Sequence, residues 1–356
     1  TESADLFATV VEERPTNIAY LYEYGQLLID LDRPEEALEL AEKIKSLNPG
    51  DVRGLTLQTR SMVWMGDSTA AIPIGLTGLQ RDPSFGALYA ALSRAYVNTQ
   101  QWREGLDAGE RAIDLAPDDM HTYWAYAYAL RSVAAYEESI FALERTTELN
   151  PGFTPPYMEL AFLYLSLDRD QEAIEIYNRV VGLEPRNARA LMRLCDAYRK
   201  IGEFEQALGR CEDAVNADPT LSSAQFRLGT LLYNRREFTR AQQAFQACVD
   251  LDEGSLVCTY RLGLSHYYLV DETVLACNAQ GIINDDCEHE VHCDATWTLL
   301  QDALLMAQTQ GNADTDIQII REGLTALGSN AFCPAYAGSA VPPPESTPEA
   351  DPAADI

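Results

Sequence analysis

The sequence predicts an all-α solenoid built from consecutive antiparallel helix pairs, and a row of regularly spaced prolines is the main evidence. A fixed period of 34 residues is typical of repeat proteins and leaves room for two short helices and two turns in each unit. Proline between two helices ends the first helix before the second begins. The row comprises Pro15, Pro49, Pro83, Pro117, Pro151, Pro185 and Pro219.

Other positions repeat on the same period. If the proline is position 32 of a unit, the units begin at Ile18, Val52, Gly86, Met120, Thr154, Ala188, Ser222 and Leu256. Small residues recur at position 20 (Ala37, Ala71, Gly105, Ser139, Ala173, Ala207 and Ala241) and often at position 8 (Gly25, Ala127, Ala161, Gly229 and Gly263). Small side chains there predict close approach of two helices. A single helix pair buries too little apolar surface to be stable, so stacking of neighbours must supply the core.

With these positions, the chain resembles the tetratricopeptide repeat (TPR) family, in a form typical of secreted bacterial proteins. The motif LCDAY at residues 194–198 is followed by GEFEQAL at 202–208 and by DP at 218–219. The resemblance covers roughly residues 1–270. It implies a right-handed superhelix in which the first helix of each pair lines a concave groove. It also implies a binding scaffold, but the fold alone does not identify the partner.

The repeat pattern predicts four segments. Residues 1–17 form an N-terminal half-repeat helix, which is either a cap or is covered by a neighbouring subunit, and residues 18–270 form the repeat array. Residues 271–328 hold an irregular cysteine-rich stretch (271–294) and a final helix pair (295–310 and 313–327), which together make a disulfide-stapled cap. Residues 329–356 form an extended acidic proline-rich tail that suits a spacer or a docked segment, with a possible O-glycan near Ser346 and Thr347.

The composition excludes some classes of partner. The formal net charge is −29 and only three lysines occur, Lys43, Lys45 and Lys200, which argues against binding of nucleic acid. No apolar stretch is long enough to span a membrane. The sequence shows neither an initiator methionine nor a signal-like segment, so we expect a mature, processed or trimmed chain.

Eight cysteines lie in the second half of the chain, at Cys195, Cys211, Cys248, Cys258, Cys277, Cys287, Cys293 and Cys333. On the repeat grid, Cys195 and Cys211 fall on facing helices of one pair, and Cys248 and Cys258 fall on adjacent helices. We expect disulfides, and therefore an extracellular or periplasmic location. The alternative is that these cysteines are small buried hydrophobic residues. The sequence does not determine the pairing of the last four.

Metal binding and catalysis have little support. Residues 285–293 concentrate Asp, Cys, Glu and His, but they lack a four-ligand spacing. His289 and His292 are three residues apart, whereas the helical zinc-protease motif needs two histidines four apart. No phosphate-binding loop or catalytic triad motif occurs. We therefore expect no metal, no cofactor and no catalytic residue.

Arginines and aromatic residues recur at positions that face the groove in the family. Arginine pairs with carboxylates, and aromatic rings pack against proline, so these positions predict binding of an acidic proline-containing peptide. The simpler alternative is that the arginines only balance nearby acidic residues. The predicted groove residues are Tyr22, Arg53, Arg60, Trp64, Arg94, Trp124, Tyr128, Arg131, Phe162, Arg189, Arg199, Lys200, Tyr233 and Tyr267.

Two non-catalytic functions follow from these features. In the first, subunits assemble head to tail into a fibre, with the acidic tail of one subunit docked in the groove of the next. In the second, a monomeric periplasmic or cell-surface adaptor uses the same groove to bind an acidic peptide of another protein.

Overall fold

The computed structural model describes residues 2–280, 289–310, 314–330 and 333–336, and all regular structure in these ranges is helical. Cys287 and residues 337–356 of the predicted tail, with Ser346 and Thr347, lie outside the described residues. The chain divides into two compact units, residues 1–183 and 184–356.

In the first unit, α1 is followed by helices that pack in consecutive pairs, α2 with α3 through α10 with α11. The helices are α1 (Glu2–Glu13), α2 (Ile18–Asp30), α3 (Pro34–Leu47), α4 (Val52–Trp64), α5 (Ser68–Arg81), α6 (Gly86–Asn98), α7 (Trp102–Leu115), α8 (Met120–Ser132), α9 (Tyr136–Leu149), α10 (Pro155–Ser166) and α11 (Asp170–Leu183).

The second unit continues the same pairing and ends with a single helix that packs on the last pair. Its helices are α12 (Ala188–Lys200), α13 (Phe204–Ala217), α14 (Ser222–Asn234), α15 (Phe238–Leu251), α16 (Leu256–Gln280), α17 (His289–Gln310) and α18 (Asp314–Gly328). A short 3₁₀ helix, Pro334–Tyr336, follows.

The predicted unit starts are confirmed. Seven of the eight are the first residue of a helix, and Thr154 is the N-cap of α10. The residue just before these helices often caps them, because its side-chain oxygen accepts a hydrogen bond from a free backbone N–H of the first turn. Asn17, Asp51, Asp119 and Asn187 do so.

The turn inside each pair repeats with the same period. Its left-handed residues are Asp32, Gly66, Gln100, Ala134, Asp168, Gly202 and Arg236, with φ between +57° and +89°. The N–H of the following residue donates to a carbonyl near the end of the preceding helix, as in Arg33 N to Leu28 O and Ala135 N to Leu130 O. This is a Schellman-type helix end, which favours glycine. Five of the seven residues are not glycine, so the turn geometry is imposed on them by the hydrogen bonds and the stacking of the pairs.

Small residues permit close helix packing, as predicted. Ala37, Ala71, Ala173, Ala207 and Ala241 at position 20 are fully buried. At position 8, a Cβ added to Gly229 would lie 2.7 Å from the ring of buried Phe245. These sites therefore tolerate no larger side chain without a shift of the neighbouring helix.

The structure differs from the sequence prediction after residue 270. Residues 271–280 are not irregular, because α16 continues to Gln280, and α17 already begins at His289 rather than at residue 295. No proline or glycine occurs between Gly263 and Gly281 to stop α16. The buried side chains of Val270 and Val274 extend its apolar face.

Disulfides join the two cysteine pairs that the repeat grid predicted. Cys195 bonds to Cys211 between α12 and α13, and Cys248 bonds to Cys258 between α15 and α16. Cys293 of α17 bonds to Cys333, which precedes the 3₁₀ helix. Cys277 is also disulfide-bonded, so no cysteine in the described part of the chain is free.

Among the described residues, no helix combines the length and the apolar character that a membrane span requires.

The left-handed turns predict that Ala134→Gly stabilises the chain. Glycine removes the steric cost of φ near +60° but adds freedom to the unfolded chain, so we expect a net gain of about 0.5–1 kcal/mol. The matched control is Gly66→Ala, whose new Cβ would meet no atom within 4 Å. That change should cost about 1 kcal/mol through the backbone alone. Thermal unfolding of both variants tests this, and a lower Tm for Ala134→Gly would contradict it.

Candidate functional site

Stacking of the first helices in the first unit places residues that are 34 positions apart side by side. Gln26 of α2, Arg60 of α4, Arg94 of α6 and Tyr128 of α8 form one such row. Nη1 of Arg60 donates a hydrogen bond to Oε1 of Gln26. The guanidinium carbon of Arg94 lies 5.1 Å from the centre of the Tyr128 ring. The repeat therefore gathers two predicted groove arginines and one predicted aromatic residue in one place.

Three aromatic rings surround Arg94, and we call them the Arg94 cage: Trp64, Trp124 and Tyr128. The guanidinium carbon lies 4.5 Å from the ring centre of Trp124 and 5.5 Å from that of Trp64. The two tryptophans meet edge to face, with ring centres 6.2 Å apart. Arg131 packs on the Tyr128 ring as well, at 5.1 Å. Cation–π contacts of this kind hold a guanidinium in place without using its N–H groups.

Hydrogen bonds orient the two tryptophans of the cage. Nε1 of Trp124 donates to Oε1 of Glu159 at 2.9 Å, and Nε1 of Trp64 donates to Oδ1 of Asp32 at 2.7 Å. Trp124 is only 3% exposed, so it forms the inner wall of the cage. The cage is thus fixed by its own contacts, independently of any ligand.

The Arg94 guanidinium has no anionic partner within hydrogen-bonding distance in the described part of the chain, and it donates no hydrogen bond there. By contrast, Arg33, Arg53 and Arg169 each form an ion pair with a neighbouring carboxylate at 2.6–2.9 Å. Burial lowers the pKa of Arg94, and the charge of Glu159 opposes that shift. A guanidinium nevertheless stays charged at physiological pH and presents planar N–H donors that match a carboxylate. The site is therefore complementary to an anionic group.

Next to the cage lies a buried ionic cluster of Asp30, Arg60 and His121. Nη2 of Arg60 lies 3.6 Å from Oδ1 of Asp30, and Nε2 of His121 lies 3.5 Å from Oδ2. Nη2 of Arg60 also lies 3.3 Å from Nδ1 of His121. The three side chains are only 12–13% exposed.

Burial controls the charges of this cluster. It raises the pKa of Asp30 to about 6, although the charge of Arg60 opposes the shift. Burial, with the positive charges of Arg60 and Arg94, lowers the pKa of His121 well below its usual value. At pH 7 the cluster therefore holds one carboxylate, one guanidinium and a neutral imidazole. The charge of Arg60 is balanced within the cluster, whereas that of Arg94 is not.

Open space adjoins both sides of the cage. A cavity of about 30 Å³ lies between Arg60, Arg94 and the two tryptophans, which is room for a water molecule. A recess of about 490 Å³ is lined by Tyr128 and Arg131 of the cage region together with Trp102, which is 41% exposed. A ligand that reaches Arg94 can therefore place a neighbouring apolar group against Trp102 and Tyr128.

Other predicted groove residues of the first unit lie elsewhere. Tyr22 is buried in the core, where the centre of its ring lies 6.1 Å from that of Phe85. Arg53 pairs with Asp51, the N-cap of its own helix. Phe162 is 44% exposed and does not belong to the cage.

In the second unit, the guanidinium carbon of Arg261 lies 5.5 Å from the ring centre of the predicted groove residue Tyr233 and 5.6 Å from that of Tyr260. Nε of Arg227 lies 3.1 Å from Oδ2 of Asp196, and Nη2 of Arg199 lies 4.0 Å from its Oδ1. The charge of Arg199 therefore has a partner. Arg189 and Lys200 are exposed. The ring of Tyr233 packs on those of Phe238 and Tyr268, and Tyr267 packs near the Cys293–Cys333 disulfide.

Sequence reasoning missed Asp30, His121 and Glu159. Asp30 and His121 occupy positions 13 and 2 of their units, which are groove positions, so the period could have found them. Glu159 lies at position 6, and nothing in the sequence indicated it as a site residue, because only its hydrogen bond to Trp124 connects it to the site.

Models of tetratricopeptide repeat families match the sequence at residues 18–51, 171–228 and 223–255. The chain is a tetratricopeptide repeat protein. The matched ranges lie in both units, and the predicted family is confirmed. No curated protein matches the chain in sequence.

Solved TPR structures share the fold at low sequence identity. The APC/C hetero-tetramer Cut9–Hcn1 aligns with a TM-score of 0.59 at 14% identity, over 91% of this chain. The alignment covers 58% of that chain, so this protein spans less than two thirds of its length. Pseudomonas aeruginosa pilF aligns with a TM-score of 0.51 at 16% identity, over 58% of this chain and 94% of its own. At such identities these likenesses establish the fold alone.

The buried carboxylate predicts a pH-dependent effect of Asp30→Asn on stability. Folding raises the pKa of Asp30 to about 6, so the folded chain favours the protonated carboxyl. The stability gained in this way is fully present below the unfolded pKa of about 4 and is lost as the pH rises through 6. We compare the free energies of unfolding of Asp30→Asn and the wild type. Their difference should shift by about 3 kcal/mol in favour of the variant between pH 4 and pH 8. The Tm difference measured across this range tests the sign.

A matched control is Asp114→Asn, which removes a carboxylate that is 72% exposed. Its Tm difference from the wild type should stay nearly constant with pH. A difference for Asp30→Asn that is equally flat would contradict the account of the buried cluster.

Proposed function

We propose that this TPR protein is a non-catalytic extracytoplasmic scaffold that binds an acidic, proline-containing peptide at the Arg94 cage. The observation that carries the proposal is the Arg94 guanidinium, enclosed by three rings and left without an anionic partner among the described residues. A carboxylate from a peptide would complete its hydrogen bonds.

The geometry suits an anion that can pair with the edge of the guanidinium, such as a carboxylate. The rings of Trp124 and Tyr128 hold the guanidinium by its faces, so its N–H groups remain available at the edge. A carboxylate binds such an edge through two parallel hydrogen bonds. The adjoining recess presents the rings of Trp102 and Tyr128, and a proline ring packs well on aromatic side chains.

The disulfides support a location outside the cytoplasm. Every described cysteine is bonded, and disulfides form and persist in oxidising compartments. An acidic partner would meet overall repulsion from a chain of charge −29, so a local positive site is needed to bind it.

The peptide can come from two sources. The chain itself carries a suitable segment: residues 341–356 contain five prolines, and their acidic side chains are Glu345, Glu349, Asp351 and Asp355. Binding of that segment by the next copy would join subunits head to tail into a fibre, which is the arrangement we favour. If the peptide belongs to another protein, the same site makes this chain a monomeric adaptor.

Substitution of Arg94 tests the binding site directly. A synthetic peptide of residues 341–356 should bind the chain truncated after residue 340, and Arg94→Met should weaken binding by about 10- to 100-fold, since one charge-assisted pair is lost. Arg94→Lys should recover only part of this affinity, because an ammonium cannot make the bidentate contact. Isothermal titration calorimetry measures each constant.

The matched control for charge is Arg189→Met, which removes an exposed arginine of the second unit and should leave the affinity unchanged. A peptide with Gln and Asn in place of its acidic residues should not bind. Equal losses from Arg94→Met and Arg189→Met would mean that the attraction is general, and the proposal would fail.

Negative-stain electron microscopy separates the fibre from the adaptor. The full chain should form filaments that disappear when residues 341–356 are removed or when Arg94 is replaced by Met. Monomers at all concentrations and salt levels would rule out the fibre and leave the adaptor.

A further inference from the structure

Two histidines of the second unit face each other between α16 and α17. Nδ1 of His266 lies 2.9 Å from Nδ1 of His292, and the ring centres are 5.2 Å apart. His266 is 9% exposed and His292 is half-buried. Without a ligand, one ring must donate its Nδ1 proton to the other, so the pair shares a single proton at this position.

The distance between the two nitrogens also matches a pair of metal ligands. Imidazole nitrogens bind divalent transition metals at about 2.0–2.1 Å. Two such nitrogens are about 2.9 Å apart when they subtend 90° at the ion, and about 3.3 Å apart in a tetrahedral site. The observed 2.9 Å corresponds to neighbouring positions of a square or octahedral arrangement. Copper(II) and nickel(II) prefer that geometry, and imidazole binds copper(II) more tightly.

We propose that His266 and His292 chelate a divalent transition-metal ion through their Nδ1 atoms, and that Cu²⁺ is the ion bound most tightly. The ring that donates its Nδ1 proton in the metal-free pair carries it on Nε2 in the complex. The tautomer therefore changes while both imidazoles stay neutral. The site is separate from the Arg94 cage and does not depend on the proposed peptide.

Gln242 of α15 lies behind the His266 ring, with its side-chain Nε2 atom 3.4 Å from Nε2 of His266. With the amide turned so that its oxygen faces the ring, Gln242 accepts the Nε2 proton and fixes the ring orientation. Such a partner behind a ligating histidine commonly strengthens metal binding.

The ion would have two protein ligands and would complete its coordination with water. Among the described residues, no third His, Cys, Asp or Glu stands close enough to join the pair. We therefore expect micromolar rather than structural affinity, with one ion for each chain. Since one ligand comes from each of two long helices, the ion would also link α16 to α17.

Titration of the full, disulfide-intact chain with CuCl₂ in a non-coordinating buffer at pH 7.5 tests the proposal. Calorimetry should give one micromolar site, and electron paramagnetic resonance of the bound Cu²⁺ should show coupling to two imidazole nitrogens. His292→Asn should lower the affinity at least tenfold, and His266→Asn should do the same. The matched control, His289→Asn, removes the other histidine of α17 and should leave binding unchanged.

Circular dichroism checks that each variant is folded. If His266→Asn does not fold, the half-buried His292→Asn and the nitrogen coupling in the native chain still decide the outcome. Binding that survives His292→Asn, or that is lost with His289→Asn alone, would overturn the assignment. A spectrum without two coupled nitrogens would do so as well.

Discussion

The structure depends on a packing constraint: within each of the two compact units, a helix pair must bury its apolar face against the next pair in a fixed register. A pair that slipped would bring larger side chains against the small residues at positions 8 and 20, where no room exists, as at Gly229 beside Phe245. The register therefore keeps a strict period of 34 residues, visible in the prolines, the N-caps and the left-handed turns. Residues that adopt φ near +60° without being glycine, such as Ala134, are held there by the hydrogen bonds of this register.

The same register builds the Arg94 cage. Because equivalent positions of neighbouring repeats lie side by side, Arg94 of α6 meets a ring of α4 on one side and two rings of α8 on the other. Arg60 lies beside Asp30 and belongs to a nearly neutral buried cluster. Arg94 instead packs against aromatic rings, which leave its N–H groups available as hydrogen-bond donors. Two arginines one repeat apart thus differ in chemistry because their neighbours differ. Around Asp196, by contrast, Arg199 and Arg227 both lie beside a carboxylate.

Much of this organisation could be predicted from the sequence, since it repeats. The helix starts, the small packing residues and two disulfides follow from the period, and so do the arginines and rings of the cage. The period does not predict features that depend on contacts or helix ends outside the repeat pattern. α16 runs on to Gln280 because no proline or glycine stops it, and Glu159 joins the site only through its contact with Trp124. The His266–His292 contact depends on that unpredicted extension and on the early start of α17, so no motif could indicate it.

A crystal structure of the chain with a bound peptide of residues 341–356 would test most directly whether Arg94 binds a peptide carboxylate. We expect a carboxylate on the edge of the Arg94 guanidinium, with two hydrogen bonds of about 2.7–2.9 Å, and a proline against Trp102 and Tyr128. A peptide bound elsewhere, with the Arg94 guanidinium still lacking an anionic partner, would contradict it.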